Sequence, residues 1–321
     1  MLISSSKEIN LDRGTSGKFW LGVGHSWCGP IQIPLFVARG QQPGPKLVII
    51  ACQHGDEGFS VLGCLDLMAS IHPEQLTGDL FVIPCINVPG YIAGKRSSPF
   101  DGQDMNRVHP GRSDGTITEQ IADVVHREVV SGADLLLDLH GGSAEVGDIS
   151  FGRWVDVEDK SSIFPLVQRL DLDFVLAPGT RDIPGMLSRY TPELGVPQIS
   201  IEAGAPVFYA RENSWQIQGF CQTTMSWLGM LATAPPKAKD HPVMTTVSMP
   251  ASTGGVFKTL VSMGENVPKG KRLGYVTDLL GNVVQELEAP EDGKIAVMRL
   301  GVRVHPGESL ITMAVPSKDE I

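Results

Sequence analysis

The sequence predicts an α/β protein with a mixed sheet flanked by helices, followed by a small all-β region. Three observations carry this expectation. Apolar runs that read as buried strands, at residues 47–51, 133–139 and 198–201, alternate with stretches of helical periodicity. The composition shifts at residues 232–242, where Pro235-Pro236 and scattered lysines read as a linker. Beyond it the helical periodicity stops, and short strands alternate with glycine turns. The expected division is an α/β domain over residues 1–235 and a β domain over 243–321.

Taken in order, residues 18–27 and 31–39 read as two strands around Cys28-Gly29-Pro30, a hairpin at the sheet edge. Gly22-x-Gly24 has no third glycine at dinucleotide spacing and reads as a strand. The run at 47–51 is a buried strand that breaks at Gly55 into a helix over 57–71. Residues 79–87 form a second buried strand. Residues 88–115, rich in Gly, Pro and Ser, read as a long loop of the kind that is functional or disordered. Residues 116–130 form an amphipathic helix with Ile117, Ile121, Val124, Val125 and Val129 on one side; His126 falls on the other and is expected in solvent. Residues 133–140 are a strand ending in His140-Gly141-Gly142. Strands follow at 149–155 and 174–177 with a helix over 162–170 between them, then a strand at 198–204 carrying Glu202. Residues 212–231 read as a helix whose Met and Trp face is core.

In the β region, 261–270 and 299–307 look like two copies of one strand-turn-strand unit. The doubling resembles the barrel-sandwich hybrid of biotinyl and lipoyl domains. A carrier domain needs a lysine at its hairpin tip, and 288–293 contains none before Lys294. The expectation is the architecture without the swinging arm. Thr253-Gly254-Gly255 is expected either to narrow the catalytic cleft or to belong to a dimer contact.

The chain has 321 residues, 42% hydrophobic and 19% charged, with a formal net charge of -10. That charge disfavours nucleic acid and anionic membrane surfaces as partners. No run reaches the roughly 18 apolar residues of a membrane span, and residues 1–13 lack an apolar signal core. The five cysteines, Cys28, Cys52, Cys64, Cys85 and Cys221, show no Cys-x-x-Cys pattern. They read as reduced thiols of a cytoplasmic protein. Cys52, near His54, reads as a small packed residue rather than a nucleophile.

His54 and Glu57 sit where a strand ends and a helix begins, which is where open α/β sheets bind ligands. An imidazole and a carboxylate on one turn can reach a single Zn²⁺, and His140 at another strand end completes a His₂Glu set with a position left for water. The bland alternatives are a surface turn for the pair and a cap for His140. Asp138 either orients a ligand histidine or solvates a strand edge. Glu202 is the candidate base, against a carboxylate merely leaving its strand. In the long loop, Arg96 and Asn106-Arg107 could divide two tasks, gripping a substrate carboxylate and stabilising an oxyanion. The alternative is ordinary solvated arginines.

His54-Gly-Asp-Glu57, Asp104-x-Asn106-Arg107 with Pro110-Gly111, Asp138-Leu-His140 and Glu202 occur in the order of the succinylglutamate desuccinylase/aspartoacylase family, a branch of the zinc-carboxypeptidase fold. The chain resembles that family over most of residues 40–235, and looks closer to its broader deacylase branch, which includes the N-acetyl-diaminobutyrate deacetylase of ectoine breakdown. The resemblance implies one Zn²⁺ on His54, Glu57 and His140 and a base at Glu202. It also implies carboxylate binding by Asn106 and Arg107, with Arg96 near the oxyanion. Two departures stand out. His109 occupies a position where many relatives have Phe, and Arg96 lies further from the Asn-Arg pair than the oxyanion arginine of aspartoacylase.

The expected activity is zinc-dependent removal of an acyl group from a small N-acylated amino acid. The alternatives are a metallocarboxypeptidase acting on small peptides and a metal-free binding or scaffold protein. Homo-oligomerisation is left open.

Overall fold

A computed structural model describes all residues except 28, 159, 178–182, 205–209 and 318–321. The hairpin turn at Cys28 therefore lies outside the described residues.

The chain begins with β1 (Leu2–Ile3), then pairs two long strands, β2 (Thr15–Ser26) and β3 (Gly29–Arg39), antiparallel near one edge. The central strand β4 (Gln42–Ala51) leads into α1 (Gly58–Ser70), and β5 (Thr77–Ile83) returns parallel beside it. The expected loop at 88–115 is not featureless. Asn87 accepts from Gly90 N–H and caps a short helix, α2 (Val88–Ala93), and a 3₁₀ turn forms at Met105–Arg107. Thr116 and Glu119 make a capping box at the start of α3 (Ile117–Val125), which runs on as a π-turn over His126–Val130.

Next come β6 (Leu135–His140), β7 (Val146–Val155), α4 (Phe164–Val167) and β8 (Phe174–Leu176). α5 (Leu187–Tyr190), β9 (Gln198–Gly204) and α6 (Ala210–Trp227) complete this part. The helix expected over 162–170 is a single α turn opened by Pro165, after which the N–H groups of Arg169 and Leu170 close tighter turns on the carbonyls of Leu166 and Val167.

Strands β5, β4, β6 and β9 lie parallel at the centre of a mixed sheet, with β3 and β7 antiparallel on either side. Both faces of the centre are covered, which is why the runs are almost wholly apolar, with Asp138 and Ser200 among the buried polar exceptions. Leu47, Ile49 and Ala51 pack towards α1, α4 and α6; Val48 and Ile50 pack towards α3. The register sets Ala51 beside Leu139 and His140 beside Glu202. The carboxyl ends of β4, β6 and β9 thus finish together, and the candidate ligands and base follow them.

The remaining strands are β10 (Val243–Pro250), β11 (Gly255–Thr259), β12 (Asn266–Val267) and β13 (Arg272–Thr277). β14 (Val283–Glu288), β15 (Gly293–Arg299), β16 (Arg303–Val304) and β17 (Ser309–Pro316) end the chain. As expected, no helix interrupts them. They join the main sheet: β10 pairs with β8, and β15 with β7. The pairings β7-β8-β10-β17-β15-β7 close a five-stranded barrel shared by the two parts of the chain. Its interior holds Phe151, Phe174, Leu176, Ala296 and Ala314, with Phe151 and Phe174 stacked at 4.8 Å. A separate sheet, β14-β13-β11-β16, packs against β15 and β17 through an apolar cluster that joins Phe257, Leu273 and Leu287 to Ile295, Ile311 and Met313. No helix among the described residues is long and apolar enough to cross a membrane.

Candidate active site

Two close approaches shape the site. A Cβ on Gly55 would lie 2.1 Å from the Gly90 carbonyl carbon, and one on Gly141 would lie 1.8 Å from Ala203 O. Glycine at these positions lets the 54–57 turn press against α2, and lets the end of β6 press against β9. His54, Glu57 and His140 are thereby gathered, and a ligand atom from each lies within 4.8 Å of the others.

All three side chains are buried. Glu57 lies between the imidazoles, with Oε1 2.5 Å from His54 Nδ1 and Oε2 3.2 Å from His140 Nδ1. Each far nitrogen faces a second carboxylate. Asp138 Oδ2 is 3.1 Å from His140 Nε2. Asp104 Oδ1 is 3.3 Å from His54 Nε2, off-line enough to be an ion-pair contact rather than a hydrogen bond. Asp138 is therefore buried against His140 and does not solvate a strand edge. Asp104, whose role composition and spacing did not suggest, stands in the same relation to His54. A carboxylate behind a histidine fixes the ring and raises its basicity as a ligand.

The electrostatics agree with a cation cradle. Burial is the largest single influence on His140 and pushes its pKa down, but Asp138 and then Glu57 outweigh it and hold it well above the ordinary value. His54 is raised in the same way, by Glu57 and Asp104 against burial. Burial pushes Glu57 upward most strongly, yet the two histidines hold it below the usual carboxylate range. A His₂Glu donor set, buried and backed by two carboxylates, fits Zn²⁺.

The triad opens into a cavity of ≈ 1050 Å³ whose lining includes Arg96, Asn106, Arg107 and Glu202. Sequence reasoning thus named residues that the fold brings to one cavity. Arg96 is not free: its Nε and Nη2 each lie 3.0 Å from Asp104 Oδ2, and its Nη1 is 3.9 Å from Glu57 Oε1. Asn106 Oδ1 accepts from Leu187 N–H at 2.9 Å, leaving Nδ2 facing His140 Nε2 at 3.5 Å. Arg107 is exposed, with Nη1 on the Asn106 carbonyl at 2.6 Å.

Other lining residues went unnoticed in the sequence. Arg153 enters from β7, and Ser248, Arg299, Arg303, Glu308, Ser309 and Thr312 enter from the carboxy-terminal strands. Arg299 bridges Glu145 Oε2 at 3.2 Å and Glu308 Oε1 at 2.9 Å. The β region does border the cavity, through these residues; Thr253–Gly255 is not among the described lining residues, because β11 pairs away from the cleft with β13 and β16.

Two further expectations change. His126 is buried, 5% exposed, because the loop carrying His109 lies across the side of α3 that was expected in solvent. Cys52 is fully buried at the strand end, and a thiol hydrogen bond with the free Cys85 together with burial raises its thiol pKa, which suits a packed residue and not a nucleophile.

A sequence model of the succinylglutamate desuccinylase/aspartoacylase catalytic domain matches residues 43–225. The N-alpha-acetyl-L-2,4-diaminobutyric acid deacetylase of Halomonas elongata is 25% identical over 326 residues, covering 97% of this chain and 94% of that protein. The product-bound structure of the ectoine utilization protein EutE (DoeB) from Ruegeria pomeroyi superposes with a TM-score of 0.84 at 25% identity, over 96% of this chain and 98% of that one. A succinylglutamate desuccinylase from Silicibacter sp. TM1040 shares the fold, with a TM-score of 0.83 at 24% identity over 96% and 98% of the two chains.

Proposed function

We infer the function from one established premise: the chain belongs to the succinylglutamate desuccinylase/aspartoacylase family, whose catalytic-domain model matches more than half of it. It resembles the N-acetyl-diaminobutyrate deacetylase branch of that family, and its activity is that of a deacylase acting on an amide. We propose that it is zinc-dependent and that its substrates are small N-acylated amino acids. The observation that carries this is the buried His54–Glu57–His140 cluster at the mouth of a cavity that also holds Glu202.

One Zn²⁺ on the three ligands would supply a Lewis acid that acidifies a water and polarises the acyl carbonyl. The chain's own residues do the rest. Glu202, next to His140 in the sheet register, takes the water's proton and returns it to the leaving amine. Arg96 is oriented by Asp104 beside the ligands and faces the developing oxyanion. Asn106 offers its amide Nδ2, and Arg107 its guanidinium, to the substrate carboxylate. The cavity is bordered by both parts of the chain and is of the size that holds a small ligand. A cavity of this size accepts an acylated amino acid or a small peptide, and the family membership favours the acylated amino acid over the carboxypeptidase alternative. A cytoplasmic location is part of the same reading, since the four described cysteines are free and buried.

The test is hydrolysis of N-acetyl-L-2,4-diaminobutyrate, N-acetyl-aspartate and N-succinyl-glutamate beside a set of dipeptides. Turnover of one acylated amino acid with no dipeptide cleavage supports the reading. Preferential dipeptide cleavage favours the carboxypeptidase, and no hydrolysis with metal bound favours a binding protein.

A further inference from the structure

Behind the ligand triad runs a buried hydrogen-bond chain that none of the roles above uses. Gln53 Nε2 donates to Asp138 Oδ1 at 2.9 Å, and Gln53 Oε1 lies 2.9 Å from His109 Nε2. His109 Nδ1 in turn lies 3.2 Å from His126 Nε2. Gln53 and Asp138 are 0% exposed, and His109 is 2% exposed. Four separate segments meet here: the end of β4, the loop after α2, the π-turn after α3 and β6.

The chain has one direction. An ionised carboxylate only accepts, so the Gln53 amide must turn its nitrogen to Asp138 and its oxygen away. That oxygen only accepts, so His109 must carry its hydrogen on Nε2. A neutral imidazole of that tautomer accepts at Nδ1, and His126 must therefore donate from its Nε2. Burial, with the neighbouring histidine second, pushes His109 down to about 3, and burial pushes His126 down to about 4. The hydrogen-bond pattern requires a neutral His109, and burial of both rings acts in the same direction. Every donor points towards Asp138, whose other oxygen receives Gln198 Nε2 at 3.2 Å and faces His140 Nε2 at 3.1 Å.

We propose that His109, braced by His126, is a positioning residue for the metal centre: through Gln53 it locks Asp138 as the acceptor for His140 and keeps His140 Nδ1 turned towards Glu57. The proposal rests on the metal reading given above. Removing His109 leaves Gln53 Oε1 buried without a partner, so the amide must shift or turn to find one. Asp138 Oδ1 then loses its Gln53 donor, only the Gln198 and Ser200 donors on Oδ2 still hold the carboxylate, and His140 is less firmly oriented. Partners behind a metal ligand typically account for about 10- to 100-fold in metal affinity, and His109, one link further out, is expected at the lower end.

The experiment measures the Zn²⁺ dissociation constant of the metal-stripped full-length chain by chelator competition, for wild type, His109→Phe and His109→Gln. Imidazole ¹⁵N NMR of the wild type reads the His109 tautomer. His109→Phe should bind Zn²⁺ about tenfold more weakly, while His109→Gln, which can still donate to Gln53, should stay within about threefold. His109 should be neutral with its hydrogen on Nε2. Unchanged affinity in a folded His109→Phe protein overturns the proposal, and so does the opposite tautomer. Should His109→Phe fail to fold, His126→Leu takes its place and should shift the His109 tautomer populations; fixed populations would count against the chain. A wild type that binds no Zn²⁺ overturns the metal reading instead, and the tautomer in the metal-free protein then decides the hydrogen-bond chain alone.

Discussion

Replacing both His109 and His126 by glutamine should flatten the acid side of the stability curve by a calculable amount. Both imidazoles are buried and neutral, with values pushed down to about 3 and about 4. In the unfolded chain each returns to about 6.5, so below that pH the unfolded state binds more protons than the native one and stability falls as pH falls. The loss begins near the unfolded value and continues until each native value is passed. At about pH 5, roughly 1.5 pH units below the unfolded value, each histidine has removed about 2 kcal/mol, or about 4 kcal/mol for the pair. Solvent screening does not reduce this much, because the two residues are 2% and 5% exposed. Glu57, Asp104 and Asp138 have lowered values, so their stabilisation is lost only at lower pH. His54 and His140, which are raised, act with the opposite sign above about pH 6.5, and they cancel when variant and wild type are compared. The assay is urea unfolding of both proteins at about pH 7.5 and about pH 5. Wild type should lose about 4 kcal/mol more than the variant between the two conditions. Equal losses would mean that these histidines are protonated or solvated in the native state, and the buried relay would be wrong.

Other perturbations probe the site. Glu202→Gln should keep its zinc and lose about 10²–10⁴-fold in turnover, measured by steady-state kinetics with metal analysis; near-normal turnover moves the base elsewhere. Gly141→Ala puts a methyl 1.8 Å from Ala203 O and must part β6 from β9, displacing His140. A fall in activity of about 10²-fold in a folded protein is expected, and unchanged kinetics would show that the contact does not set the ligand's position. Arg299→Leu removes a bridge between Glu145 and Glu308 across the two parts of the chain. Because those carboxylates are partly exposed, the expected cost is about 1–2 kcal/mol in chemical unfolding, and a change below about 0.5 kcal/mol would show that the bridge holds nothing.

The centre of the fold was legible because burial on both faces writes itself as mostly apolar runs, broken here only by Asp138 and Ser200. Residues 47–51, 135–139 and 199–201 could be little else than central strands, and polar residues at their carboxyl ends stood out. His54, Glu57, His140 and Glu202 were visible for that reason. Their surroundings were not. Gln53 looks like any polar residue of a turn, yet it is fully buried between Asp138 and His109. Asp104 was visible as part of a motif, but only tertiary folding places it 3.3 Å from His54. His126 lies opposite the apolar stripe of α3, and periodicity has no knowledge of a loop that crosses that side. The closed barrel was hidden for a related reason: β7 and β8 complete it with β10, β15 and β17 from far along the chain. Pairing of distant strands leaves no local pattern, so Arg299 and Thr312 could not be foreseen in the cavity.

In the proposed mechanism three buried side chains, His54, Glu57 and His140, hold a zinc ion needed for deacylation. The direct measurement is metal content and N-acyl-amino-acid hydrolysis on the same preparation, before chelation, after it, and after zinc is returned, with His140→Ala alongside. The account predicts about one zinc per chain, activity that disappears and returns with it, and neither metal nor activity in the variant. Full hydrolysis by a metal-free wild-type chain, or by His140→Ala, would contradict it.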